Sequence, residues 1–252
     1  MKVTAIIQAR MGSTRFPGKS LIEFGGKSLI QHAVERAKAA SRVDQIIVAT
    51  TTSEKDDCLA DYVVQKLGMP VFRGHETDVL GRYAAAAQTF GGDVIVRLTG
   101  DDPLKDPAII DLVIGHMVAS GDTYDYVSNT ILPTFPEGLD CEAMVAERLQ
   151  EAAAEATKSY DREHVTPFFY NNPDRFRIFN VALPFENHSQ VRWTLDNEAD
   201  LYYFRELFKL IDSDRILPWR DVLAVVNQHT ELTRVNATSI RSDRYLSPTN
   251  LI

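Results

Sequence analysis

Two kinds of apolar segment alternate through the first half of the sequence, and this alternation limits the fold more than any other feature. Short β-branched runs at residues 3–7, 46–49 and 93–98 are typical of buried strands. Between them, apolar residues recur at helical spacing, for example over residues 79–90. Because strands and helices that alternate in this way build βαβ units, we predict an α/β fold with a mostly parallel sheet and helices on both faces. Such sheets bind ligands at the carboxyl ends of their strands.

Composition limits the class of partner. The 252 residues are 44% hydrophobic and 25% charged, as in ordinary globular proteins. The formal net charge of -8 argues against nucleic acid or an anionic membrane as the partner. No apolar run approaches the roughly 18 residues that a membrane span needs, and Cys58 and Cys141 lack metal-ligand spacing. We therefore expect a water-soluble, cytoplasmic protein.

Positive charge is concentrated at the start of the chain, where residues 1–27 carry five cationic side chains against a single carboxylate. The loop at residues 8–19 follows the first predicted strand and combines backbone freedom, hydroxyl donors and cations, which suit the binding of linked phosphates. Its glycines, hydroxyl residues and cations are Gly12, Gly18, Ser13, Thr14, Arg10, Arg15 and Lys19. We interpret the loop as a triphosphate cradle in which Arg15 and Lys19 also act in catalysis.

Two other interpretations of this loop stay open at the level of sequence. Its glycines could serve only a turn, with the cations solvated. The loop also approaches the phosphate-binding pattern G-x-x-x-x-G-K-[ST], but five residues separate Gly12 from Gly18 and one of them is Pro17. A kinase or ATPase of that class is therefore disfavoured.

Two aspartates follow predicted strands and are candidates for a metal site. Asp101 lies between the apolar run at 93–98 and Pro103, and Asp196 ends a predicted short strand at 191–195. Mg²⁺ takes one or two carboxylates together with phosphate oxygens and waters, so this pair fits a Mg²⁺–nucleotide complex. Asp101 could instead be a cap or turn residue, and Asp196 the N-cap of the next helix.

Besides the loop at 8–19, several strings are informative when they are taken together. They are Ile47-Val48-Ala49-Thr50-Thr51, Val71-Phe72-Arg73-Gly74, Asp78-Val79-Leu80, Val96-Arg97-Leu98-Thr99-Gly100-Asp101-Asp102-Pro103-Leu104, Tyr126-Val127-Ser128-Asn129, Asp161-Arg162-Glu163-His164-Val165-Thr166-Pro167 and Arg192-Trp193-Thr194-Leu195-Asp196. With the loop, they resemble the cytidylyltransferase family that makes CMP-activated sugars, which includes the 3-deoxy-manno-octulosonate (Kdo) and acylneuraminate cytidylyltransferases. The similarity runs through most of the chain, and it is greatest to the spore coat polysaccharide biosynthesis protein F group.

The resemblance implies a Rossmann-like nucleotide-diphospho-sugar transferase fold with a small added lobe, CTP as substrate, Mg²⁺ as cofactor and a homodimer. It also implies that Ala9, Arg10 and Arg73 contact the cytosine and ribose, although Arg73 could equally be a surface strand end. Asp101 and Asp196 would be the metal ligands. The stretch from Asp196 to Asp200 departs from the Asp-Thr-Pro-Glu-Asp of many relatives, which leaves the start of the helix there uncertain.

A second substrate would bind in the less regular part of the chain. We expect one domain over residues 1–252, with a nucleotide-binding half at 1–120, an acceptor-binding and dimerisation lobe at 121–230 and a tail at 231–252. Candidate acceptor-binding residues in the lobe are Asp140, Glu142, Arg162, His164 and Arg192. His164 could instead be structural, and Arg162 could pair with Glu163 within a helix.

The predicted reaction transfers CMP from CTP to a hydroxyl of a sugar acid or related sugar, releases pyrophosphate, and serves the synthesis of a cell-surface polysaccharide. A glycosyltransferase of the same fold and a non-catalytic nucleotide-binding module are the alternatives, and UTP or GTP could replace CTP. No Asp-x-Asp motif follows the strand at 93–98, which argues against the glycosyltransferase.

Overall fold

The computed structural model describes residues 1–119 and 121–235. In these ranges the strands are β1 Val3–Gln8, β2 Glu23–Phe24, β3 Lys27–Ser28, β4 Gln45–Thr51, β5 Val71–Gly74, β6 Val94–Thr99, β7 Tyr126–Ser128, β8 Glu142–Val145 and β9 Ile178–Asn180. The α-helices are α1 Leu29–Lys38, α2 Asp57–Gln65, α3 Val79–Phe90, α4 Pro107–Ala119, α5 Ala146–Glu155, α6 Ser159–His164, α7 Pro167–Tyr170, α8 Glu198–Leu210, α9 Trp219–Gln228 and α10 Thr230–Val235. Short 3-10 helices span Lys19–Leu21, Glu54–Asp56 and Gly121–Thr123.

Seven strands form one sheet in the order β5-β4-β1-β6-β8-β7-β9. The pairs β4–β5, β1–β4, β1–β6 and β7–β9 are parallel. β8 is antiparallel to both of its neighbours, β6 and β7. The mostly parallel α/β sheet predicted from the sequence is therefore confirmed, and the antiparallel β8 joins the second half of the chain to the first.

Helices cover both faces of the sheet, as the apolar strands require. Alternate residues of β1 point to opposite faces, so Ala5 and Ile7 join one apolar cluster while Ile6 joins another. The first cluster includes Leu29 of α1 and Ile110 of α4, and the second includes residues of α3 and α5. This packing fixes the strand ends, and with them the loops that follow β1 and β6.

The prediction of a strand at 191–195 is wrong. Trp193 and Leu195 are fully buried in the core, and polar residues separate and flank them in the sequence. This alternation of apolar and polar residues is also the pattern of a strand, which explains the error. The segment makes only an isolated bridge to the loop before β8. A hydrogen bond of 2.9 Å from the Leu195 N–H to the Asp101 carbonyl then holds the segment against the loop after β6. As a result Asp196 lies beside Asp101.

The predicted tail at 231–252 falls largely outside the described residues, since residues 236–252 are not among them. Within the described ranges, every helix is too short or too polar to cross a membrane.

Candidate active site

A cavity of about 310 Å³ lies at the carboxyl ends of β1 and β6, where the fold predicts a ligand. Its wall combines the loop after β1, the loop after β6, and segments from the second half of the chain. The residues predicted for the site that line it are Ala9, Arg10, Ser13, Thr14, Arg15, Lys19, Asp101, Asp140, His164 and Asp196. Residues far apart in sequence thus converge on a space large enough for a small ligand.

The ends of β1 and β6 approach each other closely at Gly100. Its N–H donates a hydrogen bond of 2.9 Å to the Gln8 carbonyl. A Cβ atom at this position would lie 3.0 Å from the Gln8 carbonyl oxygen, from Ala9 Cβ and from Ile30 Cδ1. Only glycine fits without displacing its neighbours, and this close approach brings Asp101 next to the loop after β1.

The loop after β1 is fixed from both sides. The Gly18 N–H donates to the Met11 carbonyl at 2.8 Å, and Gly18 takes the left-handed conformation (φ 79°) that favours glycine. The Met11 N–H in turn donates to Asp56 Oδ1 at 2.6 Å. The cradle is therefore a closed turn whose backbone is tied to the sheet.

Asp56 ends the short 3-10 helix at Glu54–Asp56, directly before α2. Ser53, at the N-cap of that helix, makes no side-chain capping bond. The Asp56 carboxylate is buried and also accepts a hydrogen bond from the Thr51 hydroxyl. The Asp56 carboxylate therefore anchors the loop after β1 to the end of β4.

Lys19 is the centre of the site. Its Nζ lies 2.9 Å from Asp101 Oδ2, 2.9 Å from Asp196 Oδ1 and 2.8 Å from the Leu195 carbonyl oxygen. Burial disfavours its charge, but the carboxylates of Asp101 and Asp196 outweigh this effect and raise the pKa of Lys19. Burial likewise works against ionised Asp101, yet Lys19 holds the pKa of that carboxyl well below its usual range. Both groups are therefore charged near neutral pH.

Asp196 receives two further cations. Arg15 Nη2 lies 2.9 Å from Asp196 Oδ2, and Arg192 Nη2 lies 2.7 Å from the same oxygen. The helix that follows is capped by Asn197, whose side chain forms a reciprocal capping box with Asp200. Asp196 is therefore not the N-cap, which leaves its carboxylate available to the cavity.

Asp101 and Asp196 together fit a divalent cation. Both carboxylates contact the same Lys19 ammonium, so one oxygen of each faces a common point. In the described part of the chain no group of three or more histidine, cysteine or carboxylate side chains could hold a metal. A Mg²⁺ ion at this pair would complete its coordination with phosphate oxygens and waters, as Mg²⁺ commonly does.

Arg73, predicted to contact the nucleoside, does not line the cavity. Its Nε and Nη2 donate to the carbonyls of Thr51 and Ser53, each at 2.8 Å, and Nη1 pairs with Asp57 at 2.6 Å. The guanidinium thus ties the loop after β4 to the start of α2. This position corresponds to the strand-end alternative that the sequence left open.

Three other predicted residues lie behind the wall. Arg162, predicted to bind the acceptor, forms a two-pronged ion pair with Asp78 at 2.6 and 2.8 Å, and not the pair with Glu163 that was its alternative. Arg192 joins Asp196 to Asp200, with Nη1 2.6 Å from Asp200 Oδ1. Gly12 is absent from the wall as well. Arg162 thus holds the carboxylate of Asp78, which caps α3. Arg192 holds the carboxylate of Asp196, which lines the cavity.

A family model described as Cytidylyltransferase matches residues 4–231. The chain belongs to the cytidylyltransferase family. It is 31% identical to the spore coat polysaccharide biosynthesis protein SpsF of Bacillus subtilis, over 90% of this chain and 94% of that protein. It is 44% identical to the 3-deoxy-manno-octulosonate cytidylyltransferase of Geobacter metallireducens, over 47% of this chain and 46% of the relative. The resemblance stated from the sequence is confirmed, and the protein is a nucleotidyltransferase of a family that makes CMP-sugars.

Solved structures agree with this assignment. A cytidylyltransferase from Leptospira borgpetersenii superposes with a TM-score of 0.88 and 30% identity, over 96% of this chain and all of the other. A CMP-2-keto-3-deoxy-manno-octonic acid synthetase in complex with CTP superposes with a TM-score of 0.63 and 20% identity, over 83% of this chain and 99% of the other. The second similarity shows the shared fold.

Sequence reasoning missed Arg97 as a residue of the cavity wall in this cytidylyltransferase. Arg97 lies within β6 and is only 3% exposed, yet it lines the cavity. The signal was present in the sequence, since a charged residue inside the apolar run at 93–98 must find a partner when it is buried. That partner is Glu142, which the sequence placed among acceptor contacts and which lies behind Arg97 instead.

Proposed function

We propose that the protein transfers a cytidylyl group from CTP to a hydroxyl of a sugar acid, releases pyrophosphate, and supplies a CMP-sugar for the synthesis of a cell-surface polysaccharide. The observation that carries this proposal is the Lys19 ammonium, which joins the cradle to Asp101 and Asp196. This arrangement brings a cation for phosphate and a carboxylate pair for a divalent ion to one point. The CTP complex of the related synthetase supports CTP as the nucleotide.

The loop after β1 would bind the triphosphate. Arg10, Ser13 and Arg15 line the cavity beside Lys19. The Arg15 side chain is 60% exposed, so it can move from Asp196 to a phosphate at little cost. Guanidinium groups match pairs of phosphate oxygens, whereas the Lys19 ammonium can follow charge onto the leaving group.

Asp101 and Asp196 would hold Mg²⁺, which when bound supplies a positive charge to the phosphate oxygens. The residues of the chain have three tasks in the reaction. The cradle aligns the α-phosphorus with the acceptor hydroxyl. The oxygen of that hydroxyl forms the new bond to phosphorus as the bond to pyrophosphate breaks, and the hydroxyl proton passes to solvent. Arg15 and Lys19 stabilise the charge that collects on pyrophosphate. Asp140 and His164, on the lobe side of the wall, would orient the sugar.

A pyrophosphate-release screen tests the proposal. Four nucleoside triphosphates are crossed with Kdo, with N-acetylneuraminate and with neutral sugars, in Mg²⁺ buffer. We expect release with CTP and an acidic sugar, and mass spectrometry should detect the CMP-sugar. Omission of either substrate is the control. Binding of CTP with no release for any sugar would contradict the proposal. Consumption of a sugar nucleotide that is supplied in a separate assay would support a glycosyltransferase instead.

A further inference from the structure

A charged side chain lies where the sheet would otherwise be apolar. Arg97 of β6 pairs in register with Ile6 of β1 on one side and with Glu142 of β8 on the other. Its guanidinium lies near the ring of Tyr83 in α3, with Cζ 5.9 Å from the ring centroid. Burial of an arginine is costly unless its charge and its N–H groups are matched, so the partners of Arg97 show what it is for.

Glu142 matches the charge of Arg97 but is itself fully engaged. It accepts a hydrogen bond from Arg97 Nη1. Its Oε1 also accepts from the Tyr126 hydroxyl at 2.6 Å and from the Thr166 hydroxyl at 2.7 Å. Glu142 does not belong to the cavity wall, whereas Arg97 does. Glu142 therefore acts as a brace that fixes the position of the guanidinium.

One nitrogen of the guanidinium, Nε, lacks a hydrogen-bond partner in the described part of the chain. This nitrogen is also buried. A buried donor without a partner costs about 1–3 kcal/mol, and such a group in a native protein calls for an explanation. The Nε and Nη2 groups of an arginine form a fork that matches the two oxygens of a carboxylate. A ligand carboxylate would remove the cost.

The location of Arg97 indicates which ligand this is. Arg97 precedes the strand end at Thr99 by two residues, so it lies roughly 7 Å back along the strand from the loop that carries Asp101. It also lies on the sheet face that α3 and α5 cover, where Glu163 and His164 of the second half of the chain complete the wall. Glu163 and His164 belong to the half of the chain that we propose binds the acceptor, so Arg97 shares a wall with the proposed acceptor residues.

We propose that Arg97 determines acceptor specificity by binding the carboxylate of the sugar acid through its Nε and Nη2 groups, with Glu142 as the positioning residue. This inference rests on the proposed cytidylyl transfer. The carboxylates of Glu137, Asp140 and Glu163 also line the cavity, and the positive charge of Arg97 would offset their repulsion of an anionic sugar. A lysine ammonium could replace the charge of Arg97 but not its two parallel N–H donors, which match the two oxygens of a carboxylate.

The test compares acids with neutral analogues. Steady-state kinetics are measured for wild type and Arg97→Lys with CTP and with Kdo or N-acetylneuraminate, and with the C1 amides of these sugars. We expect the KM for the acid to rise about 10- to 100-fold in Arg97→Lys, as loss of a charged hydrogen bond predicts. The preference for acid over amide should fall by a similar factor, while the KM for CTP changes little.

Two further variants separate recognition from structural damage. Tyr126→Phe removes one hydrogen bond to Glu142 but leaves Arg97 and its ion pair in place, so we expect lower stability and an unchanged KM for the acid. Arg97→Gln combined with Glu142→Gln removes both charges of the buried pair, a change that proteins often tolerate. This double variant should fold, bind CTP and lose its preference for the acid.

Each outcome decides the proposal. It is overturned if Arg97→Lys keeps the wild-type preference for the acid, or if Tyr126→Phe raises the KM for the acid as much as Arg97→Lys does. Pyrophosphate release with neutral sugars alone would also overturn it, but would leave nucleotidyl transfer standing. Failure of every sugar to release pyrophosphate would overturn both proposals.

Discussion

Replacement of Lys19 by alanine removes the ammonium that holds the site together. The wild-type group makes three hydrogen bonds, of 2.8 Å to the Leu195 carbonyl and 2.9 Å to each of Asp101 and Asp196. Asp196 keeps Arg15 and Arg192 in the variant, because both contact its other carboxylate oxygen. Asp101 loses the partner that lowers its pKa, so most of the penalty falls on Asp101.

The loss of stability in this variant depends on how far the remaining Asp101 carboxylate is exposed to water. A sealed ion pair that loses one partner costs about 3–5 kcal/mol, but the Asp101 side chain is 29% exposed to the cavity and can be hydrated. We therefore expect a loss of about 1–3 kcal/mol in the free energy of unfolding. Turnover should fall by roughly two or three orders of magnitude, as loss of one transition-state charge contact commonly causes.

Urea denaturation and pyrophosphate release measure the two effects. Lys27→Ala is the matched control, because Lys27 belongs to the same basic segment and pairs with Glu35 at 2.8 Å outside the cavity wall. That variant should keep its turnover. Near-normal turnover in Lys19→Ala would refute the catalytic role, and equal losses of turnover in both variants would show that general charge in the segment matters instead.

Three further predictions concern the metal site, the cradle and acid stability. Asp101→Asn should stay folded by circular dichroism but lose Mg²⁺-dependent turnover, and a fully active variant would reject the metal assignment. Gly18→Ala places a side chain at φ 79°, which should cost about 1 kcal/mol and raise the KM for CTP, whereas an unchanged KM would mean that the cradle does not need this turn. Arg177 hydrogen bonds lower the pKa of Asp125 to about 2, so ionised Asp125 stabilises the fold above its unfolded pKa of about 4 and this contribution disappears as the pH falls through about 2. Acid titration of unfolding should therefore show the difference between wild type and Asp125→Asn shrink over that range, and a constant difference would contradict the assignment.

The sequence predicted the sheet because its signal is local. A buried parallel strand needs a continuous apolar run, and a covering helix needs apolar residues at helical spacing, so β1, β4, β6 and α3 could be located from their own residues. The same local reasoning failed at 191–195, where two buried apolar side chains belong to a loop and not to a strand. The pattern of burial was right, but the backbone pairing that distinguishes a strand depends on a distant partner.

For the site, the sequence indicated the loops that meet and most of the side chains that line the cavity between them, but it misplaced several arginines. Lys19, Asp101 and Asp196 could be proposed because each follows or precedes an identifiable element. Arg162 could not be placed, because its partner Asp78 is 84 positions away and nothing near Arg162 indicates that contact. Arg97 could have been predicted as a residue of special importance, because a charged residue within a buried apolar strand needs a buried partner.

A crystal structure with CTP and a divalent cation would show directly whether the loop after β1 binds the triphosphate. We expect the triphosphate along residues 10–19, with Lys19 moved from the carboxylate pair toward the phosphates and the ion held by Asp101 and Asp196. Nucleotide bound away from the loop after β1, or an ion that touches neither aspartate, would contradict this expectation.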